Sequence, residues 1–320
     1  MNYQTTSRFL VPVHNPGDTL KSLLCHISNL PDIELSDMVI IDDGSTDGTS
    51  ELLKRQFPEV KRIAGNGSLF WTGSMVAGMK SALDDQVDFI FWLNHDCQPV
   101  SGSADLLRKA LKDPAVGCAG AWCRIKGYPE WPVNPGVYKN KEIGPLSAGE
   151  IRKVHGVNGN FVGFKADAIR KVGFPSPRKF PHYGDGPYTL QMGRSGYHVV
   201  VVASARANLE YEILRRLTPF WRVALSEFPV YYWLNYFLFN IKSRFHFKTA
   251  YFESRVYRPG LIGPIAYLKK MGFLIGEVII GTVFKRIYDR AQIIAKCINT
   301  YAKEYPIKKL KLEIRAKSGE

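Results

Sequence analysis

Short apolar runs alternate with amphipathic stretches along the first part of the chain. The apolar runs are rich in β-branched and aromatic residues and have the length of buried strands, and apolar residues recur at helical spacing between them. Such alternation favours a parallel sheet covered by helices on both faces. The predicted strands are 9–13, 38–41, 60–63, 88–93 and 116–122, and the predicted helices are 18–30, 46–56, 72–83 and 103–111.

The alternation is interrupted between Tyr128 and Gly149, where proline and glycine are frequent. We predict a long loop there, and loops of this length in compact enzymes are commonly functional. Order resumes with strands at 160–164 and 199–202 and helices at 166–172 and 185–195. The pattern therefore predicts one α/β domain over residues 1–214 and a helical C-terminal region over residues 215–320.

Polar side chains follow two of the predicted strands. Asp42 and Asp43 come after the second strand, and Asn94-His95-Asp96 comes after the fourth. Open α/β sheets bind ligands at the carboxyl ends of their strands, so both groups are expected at one ligand-binding edge. A carboxylate at Asp43 could accept a hydrogen bond from a ribose or a base. The second group suits Mg²⁺ or Mn²⁺ bridging a diphosphate.

A purely structural interpretation of the first acidic segment stays open. Gly44 permits a sharp exit from the strand, and Ser45, Thr46 and Asp47 can each cap the helix that follows. On these residues alone, the segment is either a capped strand-to-helix turn or part of a binding site.

Positive charge is concentrated at the C-terminal end. The net charge is +14, and residues 241–320 hold 17 Lys and Arg against 6 Asp and Glu. Aromatic residues crowd 220–239, and 271–284 is nearly all apolar apart from Glu277; neither run has the ~20 apolar residues of a spanning helix. This composition predicts a helical region on an anionic membrane surface. The alternative is a packing subdomain with a solvated basic face, and no nucleic-acid module is recognisable.

The cysteines and the N-terminus indicate the compartment. The five cysteines are scattered and odd in number, which is typical of a reduced, cytosolic chain. No basic-then-apolar signal precedes the first strand. Together with the basic C-terminal region, this predicts a cytoplasmic protein attached peripherally to the inner face of the cell membrane.

Several motifs, in the right order and spacing, together resemble a family-2 glycosyltransferase with the GT-A fold. They are Val11-Pro12-Val13-His14-Asn15, Asp42-Asp43-Gly44-Ser45-Thr46-Asp47 and Asn94-His95-Asp96. The segment Gly65-Asn66-Gly67-Ser68-Leu69-Phe70-Trp71-Thr72-Gly73 resembles one from the rhamnosyltransferase-like branch. Pro181-His182-Tyr183-Gly184-Asp185 and Arg194-Ser195-Gly196-Tyr197 resemble that family's acidic segment and the end of its following helix. The resemblance covers residues 8–210.

The resemblance implies a Rossmann-like, mostly parallel sheet and an inverting transfer of a sugar from a nucleotide-diphosphate sugar to a lipid-linked or polysaccharide acceptor. Asp185 would be the general base, helped by His182, and Asp96 would bind a divalent cation, Mg²⁺ or Mn²⁺. His155 and Asn158 would line the acceptor site. The nucleotide sugar would be bound by Pro12, Val13, Asn15, Asp43, Gly67, Trp71 and Asn94.

The chain departs from the family pattern at several positions. Asn94 and His95 stand where carboxylates are usual, and Pro187 replaces a second acid after Asp185. A histidine expected near position 209 is absent, and Glu210 is the nearest polar residue. These departures keep open a catalytically impaired, membrane-bound sugar-nucleotide-binding protein.

A nucleotidyltransferase can be built on a similar sheet. It should carry a basic phosphate loop near the first strand, whereas residues 14–18 contain no Lys or Arg. Two of the candidate side chains also have a plain structural explanation. From the residues alone, Trp71 is as much a core aromatic as a stacking surface, and His155 is equally well explained as a surface histidine.

Overall fold

The structure, a computed structural model, describes residues 5–133, 136–138 and 141–318. It divides into two compact units, the first ending at Glu210 and the second beginning at Tyr211.

The first unit contains the alternating strands and helices that the hydrophobic pattern predicts. Its strands are β1 (Ser7–Val13), β2 (Met38–Asp42), β3 (Lys61–Ala64), β4 (Phe89–Leu93), β5 (Cys97–Pro99), β6 (Val116–Ile125), β7 (Tyr128–Pro132), β8 (Val137–Tyr138), β9 (Lys141–Glu142), β10 (Ile151–Val154), β11 (Phe161–Lys165) and β12 (His198–Leu209). Its α-helices are α1 (Asp18–Ile27), α2 (Thr49–Gln56), α3 (Phe70–Asp84), α4 (Ser103–Leu111), α5 (Ala166–Val172) and α6 (Asp185–Arg194).

One large sheet organises this unit. Its strand order is β10-β12-β6-β11-β4-β1-β2-β3, with β5 beside β12 and β7 beside β6. The β1–β2, β2–β3, β1–β4 and β6–β12 pairs are parallel, whereas β11 is antiparallel to both β4 and β6. The sheet is mostly parallel and flanked by helices, as predicted. Its parallel strands place the ends of β1, β2 and β4 at one edge.

Aromatic side chains fill the centre of the sheet. Phe9 of β1 stacks on Phe91 of β4 with ring centroids 4.6 Å apart. On β4, Trp92 contacts Phe164 and Tyr188 at centroid distances of 4.5 and 5.5 Å, and all three rings are buried. Burial of each such side chain contributes about 1.5–3 kcal/mol, so the strand that precedes Asn94 is firmly anchored.

Several features of the first unit differ from the prediction, among them the unpredicted strands β5 and β10 and the end of α1 at Ile27. Helix α2 begins at Thr49 and not at position 46, because Ser45 and Asp47 are used to hold the loop after β1, although Asp47 also accepts from Thr49 at the helix start. The predicted loop 128–149 contains the short strands β7, β8 and β9. Strand β12 continues to Leu209, since beyond an irregularity its last residues pair with β5 and with the end of β6.

The second unit is helical. Its α-helices are α7 (Pro219–Ala224), α8 (Val230–Phe239), α9 (Phe247–Tyr257), α10 (Ile262–Ile287), α11 (Arg290–Tyr301) and α12 (Ile307–Ser318). One hydrophobic cluster comprises Val223, Trp233, Phe237, Leu274 and Val278. Over the ranges that the structure describes, no helix combines the length and the apolar character that a membrane crossing requires.

Candidate functional site

The loops that leave β1 and β2 are held together by reciprocal hydrogen bonds. The backbone N–H of Asn15 donates to Ser45 Oγ at 2.9 Å, and Asn15 Oδ1 accepts from the Thr46 N–H at 2.7 Å. Asn15 has a left-handed backbone with φ of 50°, a conformation that asparagine tolerates better than most residues. Pro12 and Val13 lie at the buried end of β1, where Val13 pairs with Asp42. This edge of the sheet is therefore preorganised.

Asp47 fastens the same loops from the other side. Its Oδ2 accepts from the Gly17 N–H at 2.9 Å, and its Oδ1 accepts from the Thr49 backbone and hydroxyl. Partial burial acts to raise the pKa of Asp47, but the hydrogen bonds from Thr49 and Gly17 outweigh it and leave the pKa below its usual value. Asp47 is thus a charged anchor at neutral pH.

Asp43 organises the loop before α3. Its side chain is buried; Oδ1 accepts from the Gly67 N–H and Oδ2 from the Phe70 N–H, both at 2.8 Å. Gly65 lies against this carboxylate so closely that a Cβ there would be 2.6 Å from Oδ1. A carboxylate oxygen has two acceptor positions, so Asp43 can hold the loop and still accept a hydrogen bond from a ligand.

Trp71 links this loop to the end of β4. Its indole N–H donates to Asn94 Oδ1 at 2.9 Å, and its ring meets Trp92 edge-on at a centroid distance of 5.2 Å. Asn94 in turn donates from Nδ2 to Asn160 Oδ1 at 3.1 Å and from its backbone to Asn160 O at 3.0 Å. Trp71 is therefore half-buried against the core and also oriented by a residue of the strand end.

Asp185 stands at the first position of α6, beside the Trp71–Asn94 pair. Its Oδ2 accepts from the Gly159 N–H at 2.8 Å, and no hydrogen bond to Oδ1 is present in the described part of the chain. A Cβ on Gly159 would lie 2.6 Å from the Trp71 ring and 3.1 Å from Asp185 Cβ. The position admits only glycine without a shift of Trp71 or Asp185.

His182 lies on the short segment before α6. The segment is tied to α3, because the Thr72 N–H donates to Pro181 O at 2.9 Å and Gly184 packs closely on the Thr72 side chain. The His182 and Phe70 rings are 5.3 Å apart. Tyr183, the next residue, has φ of 57°, an uncommon conformation for an aromatic residue. His182 is thus held near the loop that Asp43 organises.

Asp96 lines a cleft of about 210 Å³. The Glu210 N–H donates to Asp96 O at 2.9 Å, and the Glu210 carboxylate pairs with Lys126 at 2.6 Å. Cys97 beside it is buried, and burial, reinforced by Cys123 and Asp96, raises the pKa of its thiol well above its usual value, which fits a packing role. The cleft is lined by Asp18, Thr19, Ser22, His95, Asp96, Gln98 and Glu210.

The protein alone does not form a closed metal site here. Among the described residues, no group of three or more His, Cys, Asp and Glu side chains is placed to hold an ion. Asp96 with neighbouring oxygens suits a cation that is bound mostly by substrate phosphates, which is how Mg²⁺ is commonly held. The donor set fits such a shared site and not an all-protein one.

The acceptor-site candidates fall in different places. Asn158 directly precedes Gly159 and so adjoins Asp185. His155 is exposed, and its backbone N–H donates to Val137 O at 2.8 Å. Sequence reasoning missed the contributions of Gly159 and Asn160, because both act through partners that are distant in the chain.

Comparisons with known proteins identify the family and the fold. Residues 9–173, just over half of the chain, match the model of the family described as Glycosyl transferase family 2. The N-acetylglucosaminyl-diphospho-decaprenol L-rhamnosyltransferase of Mycobacterium tuberculosis is 26% identical over 226 residues, covering 60% of this chain and 72% of the relative.

Two solved structures share the fold. The mannosyltransferase PcManGT from Pyrobaculum calidifontis, solved with GDP-Man and Mn²⁺, has a TM-score of 0.52 at 14% identity, and the match covers 90% of this chain and 89% of that one. GalNAc-T7, solved with UDP, GalNAc and Mn²⁺, has a TM-score of 0.55 at 12% identity, covering 96% of this chain and 59% of that one. These likenesses confirm the predicted GT-A fold.

Proposed function

The chain belongs to glycosyl transferase family 2, and from that premise we propose that it transfers a sugar from a nucleotide-diphosphate sugar to an acceptor hydroxyl, with inversion. The observation that carries the proposal is the position of Asp185. Its carboxylate lies beside Trp71 and Asn94, at the edge of the sheet where α/β folds bind ligands.

The donor occupies the edge formed by β1, β2 and the loop before α3. Asn15 and the Asp43-organised loop present backbone groups in fixed positions, which lowers the entropy cost of binding a nucleotide. Pro12, Val13 and Gly67 shape the same edge, and Trp71 and Asn94 extend it toward Asp185.

Asp185 acts as the general base. Its carboxylate takes the proton from the acceptor hydroxyl as that oxygen bonds to C1 of the sugar and the bond from C1 to the diphosphate oxygen breaks. The nucleoside diphosphate leaves with the electron pair of that bond. Attack from the side opposite the leaving group inverts the anomeric centre. Gly159 orients the carboxylate, His182 adjoins the site, and Asn158 adjoins the path of the acceptor.

Asp96 would hold a divalent cation, which when bound would neutralise charge on the leaving group. Both solved relatives contain Mn²⁺, which supports Mn²⁺ or Mg²⁺ as the cofactor.

The acceptor we propose is a lipid-linked glycan. The Mycobacterium tuberculosis relative is named for transfer of L-rhamnose to a sugar carried on decaprenol through a diphosphate, and that similarity extends over 60% of this chain. A deoxyhexose donor and a polyprenol-linked acceptor are therefore the first pair to assay.

A nucleotide panel tests the donor side directly. Thermal unfolding with UDP-, dTDP- and GDP-sugars should show a higher Tm with one nucleotide class, since a ligand that binds only the folded state stabilises it. A chain that responds to none of them, with or without Mn²⁺, would contradict the proposal.

Removal of the Asp43 carboxylate should weaken nucleotide binding. Asp43→Ala leaves the Gly67 and Phe70 N–H groups without their acceptor, so the loop loses its fixed form. We expect a loss of about 1–3 kcal/mol in binding free energy, measured by calorimetry with the nucleoside diphosphate that the panel identifies.

The matched control is Glu51→Ala, which removes an exposed acid from α2 and should leave the affinity unchanged. Thermal unfolding establishes that Asp43→Ala is folded at the temperature of the titration. Wild-type affinity in folded Asp43→Ala would remove Asp43 from the nucleotide site.

Asp96→Ala should raise the cation concentration needed for half-maximal turnover, because the ion loses its protein ligand and keeps only the diphosphate. The measurement is a Mn²⁺ titration of transfer, with Asp167→Ala, an exposed acid on α5, as the control. Full wild-type activity in EDTA, or an unchanged titration curve in Asp96→Ala, would refute the role of Asp96.

We also propose that the chain works at the inner face of the cell membrane, attached through α10. This helix carries two apolar faces. Leu274 and Val278 are buried in the second unit, whereas a stripe along the other side is exposed. The exposed stripe comprises Ile262, Ile265, Leu268, Phe273, Ile275, Ile279, Ile280, Val283 and Ile287, which are 42–68% exposed.

Charge favours an anionic bilayer over a second copy of the chain as the partner of this stripe. Residues 211–320 hold 20 Lys and Arg against 8 Asp and Glu, and Lys269 and Arg286 are exposed on α10 itself. Two such units would repel each other, whereas anionic lipid headgroups would attract each of them. Trp221 and Trp233 are buried, so not all of the aromatic residues of 220–239 lie on the surface of the second unit.

Flotation with anionic vesicles tests the attachment. The full chain should float at low salt and less at high salt, and Ile265→Ser/Ile279→Ser/Ile287→Ser should reduce partitioning by about tenfold or more. Ile151→Ser, at an exposed position of the first unit, is the control. Attachment through α10 would be refuted if the wild type did not float. It would also be refuted if the wild type and the Ile151→Ser control formed dimers and the triple variant did not.

A further inference from the structure

Two arginines lie side by side on β6 and β12, and among the described residues neither forms an ion pair with an acid. Arg206 pairs in register with Trp122, and Arg124 pairs with Asn208, so the four side chains share one face of the sheet. In both arginines Nε is fully buried and has no hydrogen-bond partner in the described part of the chain. Other arginines of this unit, such as Arg108, are paired with carboxylates.

Such an arrangement is costly unless an anion completes it. A buried donor that lacks an acceptor destabilises the fold, and more so when the group is charged. Burial, and then the charge of Arg206, lower the pKa of Arg124, so the charged form of Arg124 is disfavoured at this position. Guanidinium groups are the preferred side chains for binding phosphate through paired hydrogen bonds.

The face that carries the arginines is also the face of the proposed reaction. Helix α6 crosses it: Met192 of its last turn lies against Gly117, and Thr189 bonds Val157, which packs on Gly120. Helix α6 therefore runs antiparallel to β6. Its first residue, Asp185, lies toward the carboxyl end of β6, the end that holds Arg124.

The strand that carries Arg206 also pairs with β5, whose Gln98 lines the cleft that contains Asp96. Asn208 of β12 pairs with Arg124 on one side and with Gln98 of β5 on the other, so these three side chains form a row on one face. Gln98 lines the cleft together with Asp96 and Glu210. Arg124 is thus two strands away from Gln98, with β12 between them.

We propose that Arg124 and Arg206 form a binding site for the phosphoryl groups of a substrate diphosphate. This inference rests on the proposed function for the identity of its ligand. Two diphosphates could supply the same chemistry, namely that of the donor nucleotide and that of a lipid-linked acceptor. In either case the site fixes the substrate at its charged group.

Calorimetry on Arg124→Gln and Arg206→Gln tests the site, with UDP, GDP and dTDP, inorganic pyrophosphate, and geranyl diphosphate as probes. Each variant should lose about 10- to 100-fold in affinity for pyrophosphate. It should lose a similar factor for either the nucleoside diphosphates or geranyl diphosphate. Loss for nucleotides assigns the site to the donor, and loss for geranyl diphosphate assigns it to the acceptor. Arg206→Lys should retain part of the affinity, because it keeps the charge without the planar group.

Two controls separate this role from a structural one. Arg152→Gln removes an arginine that is paired with Glu150, and it should leave all affinities unchanged. In the absence of ligand, Arg124→Gln and Arg206→Gln should unfold at the same temperature as the wild type or higher, since each removes an uncompensated charge.

Unchanged affinities for every probe in folded variants would overturn the site, as would a wild type that binds none of them. A lower Tm with unchanged binding would make the arginines structural. Failure of the proposed function is distinguishable, because a protein that transfers no sugar can still bind pyrophosphate through these arginines.

Discussion

Asp185→Asn should reduce turnover by about 10²- to 10⁴-fold while leaving donor affinity unchanged. The amide keeps the size of the carboxylate and can still accept from the Gly159 N–H, so the surroundings of the site are preserved. It cannot accept a proton from the acceptor hydroxyl. The measurements are kcat in a transfer assay and donor Kd by calorimetry.

His182→Ala provides the comparison for that result. His182 lies beside Phe70 on the segment before α6, and we expect a smaller effect from its removal than from Asp185→Asn. Near-normal turnover in Asp185→Asn would exclude Asp185 as the base. If His182→Ala then abolished transfer, the histidine would take that role.

Gly159→Ala should damage both the fold and the reaction. The new Cβ would lie 2.6 Å from the Trp71 ring and 3.1 Å from Asp185 Cβ, so the ring or the helix start must move. Overpacking of this kind costs about 1–3 kcal/mol in stability. Displacement of a catalytic carboxylate by about 1 Å can cost about 10²-fold in rate. Thermal unfolding and kcat measure the two effects.

Gly193→Ala is the matched control, on the helix that Asp185 begins. A Cβ at Gly193 would make only ordinary contacts, the nearest at 3.8 Å, and alanine favours a helix over glycine. This variant should be as stable as the wild type or more so, with unchanged turnover. If Gly159→Ala behaved like Gly193→Ala, the proposed packing between Trp71 and Asp185 would be wrong.

Local pattern predicted most of the elements of the first unit. Helix α4 has the predicted bounds, and β4 differs by one residue, because apolar periodicity and buried β-rich runs decide these elements locally. The start of α2 could not be predicted, since Ser45 and Asp47 bind residues of another loop. The irregularity in β12 depends on its pairing with β6, which no local signal reveals.

The residues of the candidate site also fall into those that the sequence identifies and those that only the structure shows. Asp43, Asp96 and Asp185 were identifiable because strand ends and motif spacing single them out. Gly159 matters because it has no side chain, which leaves room for Trp71. Asn160 matters because it contacts Asn94, which is 66 residues away in the chain. Arg124 and Arg206 look like ordinary strand residues until β6 and β12 are paired.

One measurement tests the central claim most directly. The full chain is incubated with Mn²⁺, the nucleotide sugar that stabilises it and a polyprenyl-diphosphate sugar, and the products are analysed by mass spectrometry and NMR. We predict an acceptor heavier by one sugar, an equal amount of released nucleoside diphosphate and an inverted anomeric centre. Release of pyrophosphate with nucleotidyl transfer, or donor binding without any transfer, would contradict the assignment of this chain as a sugar transferase.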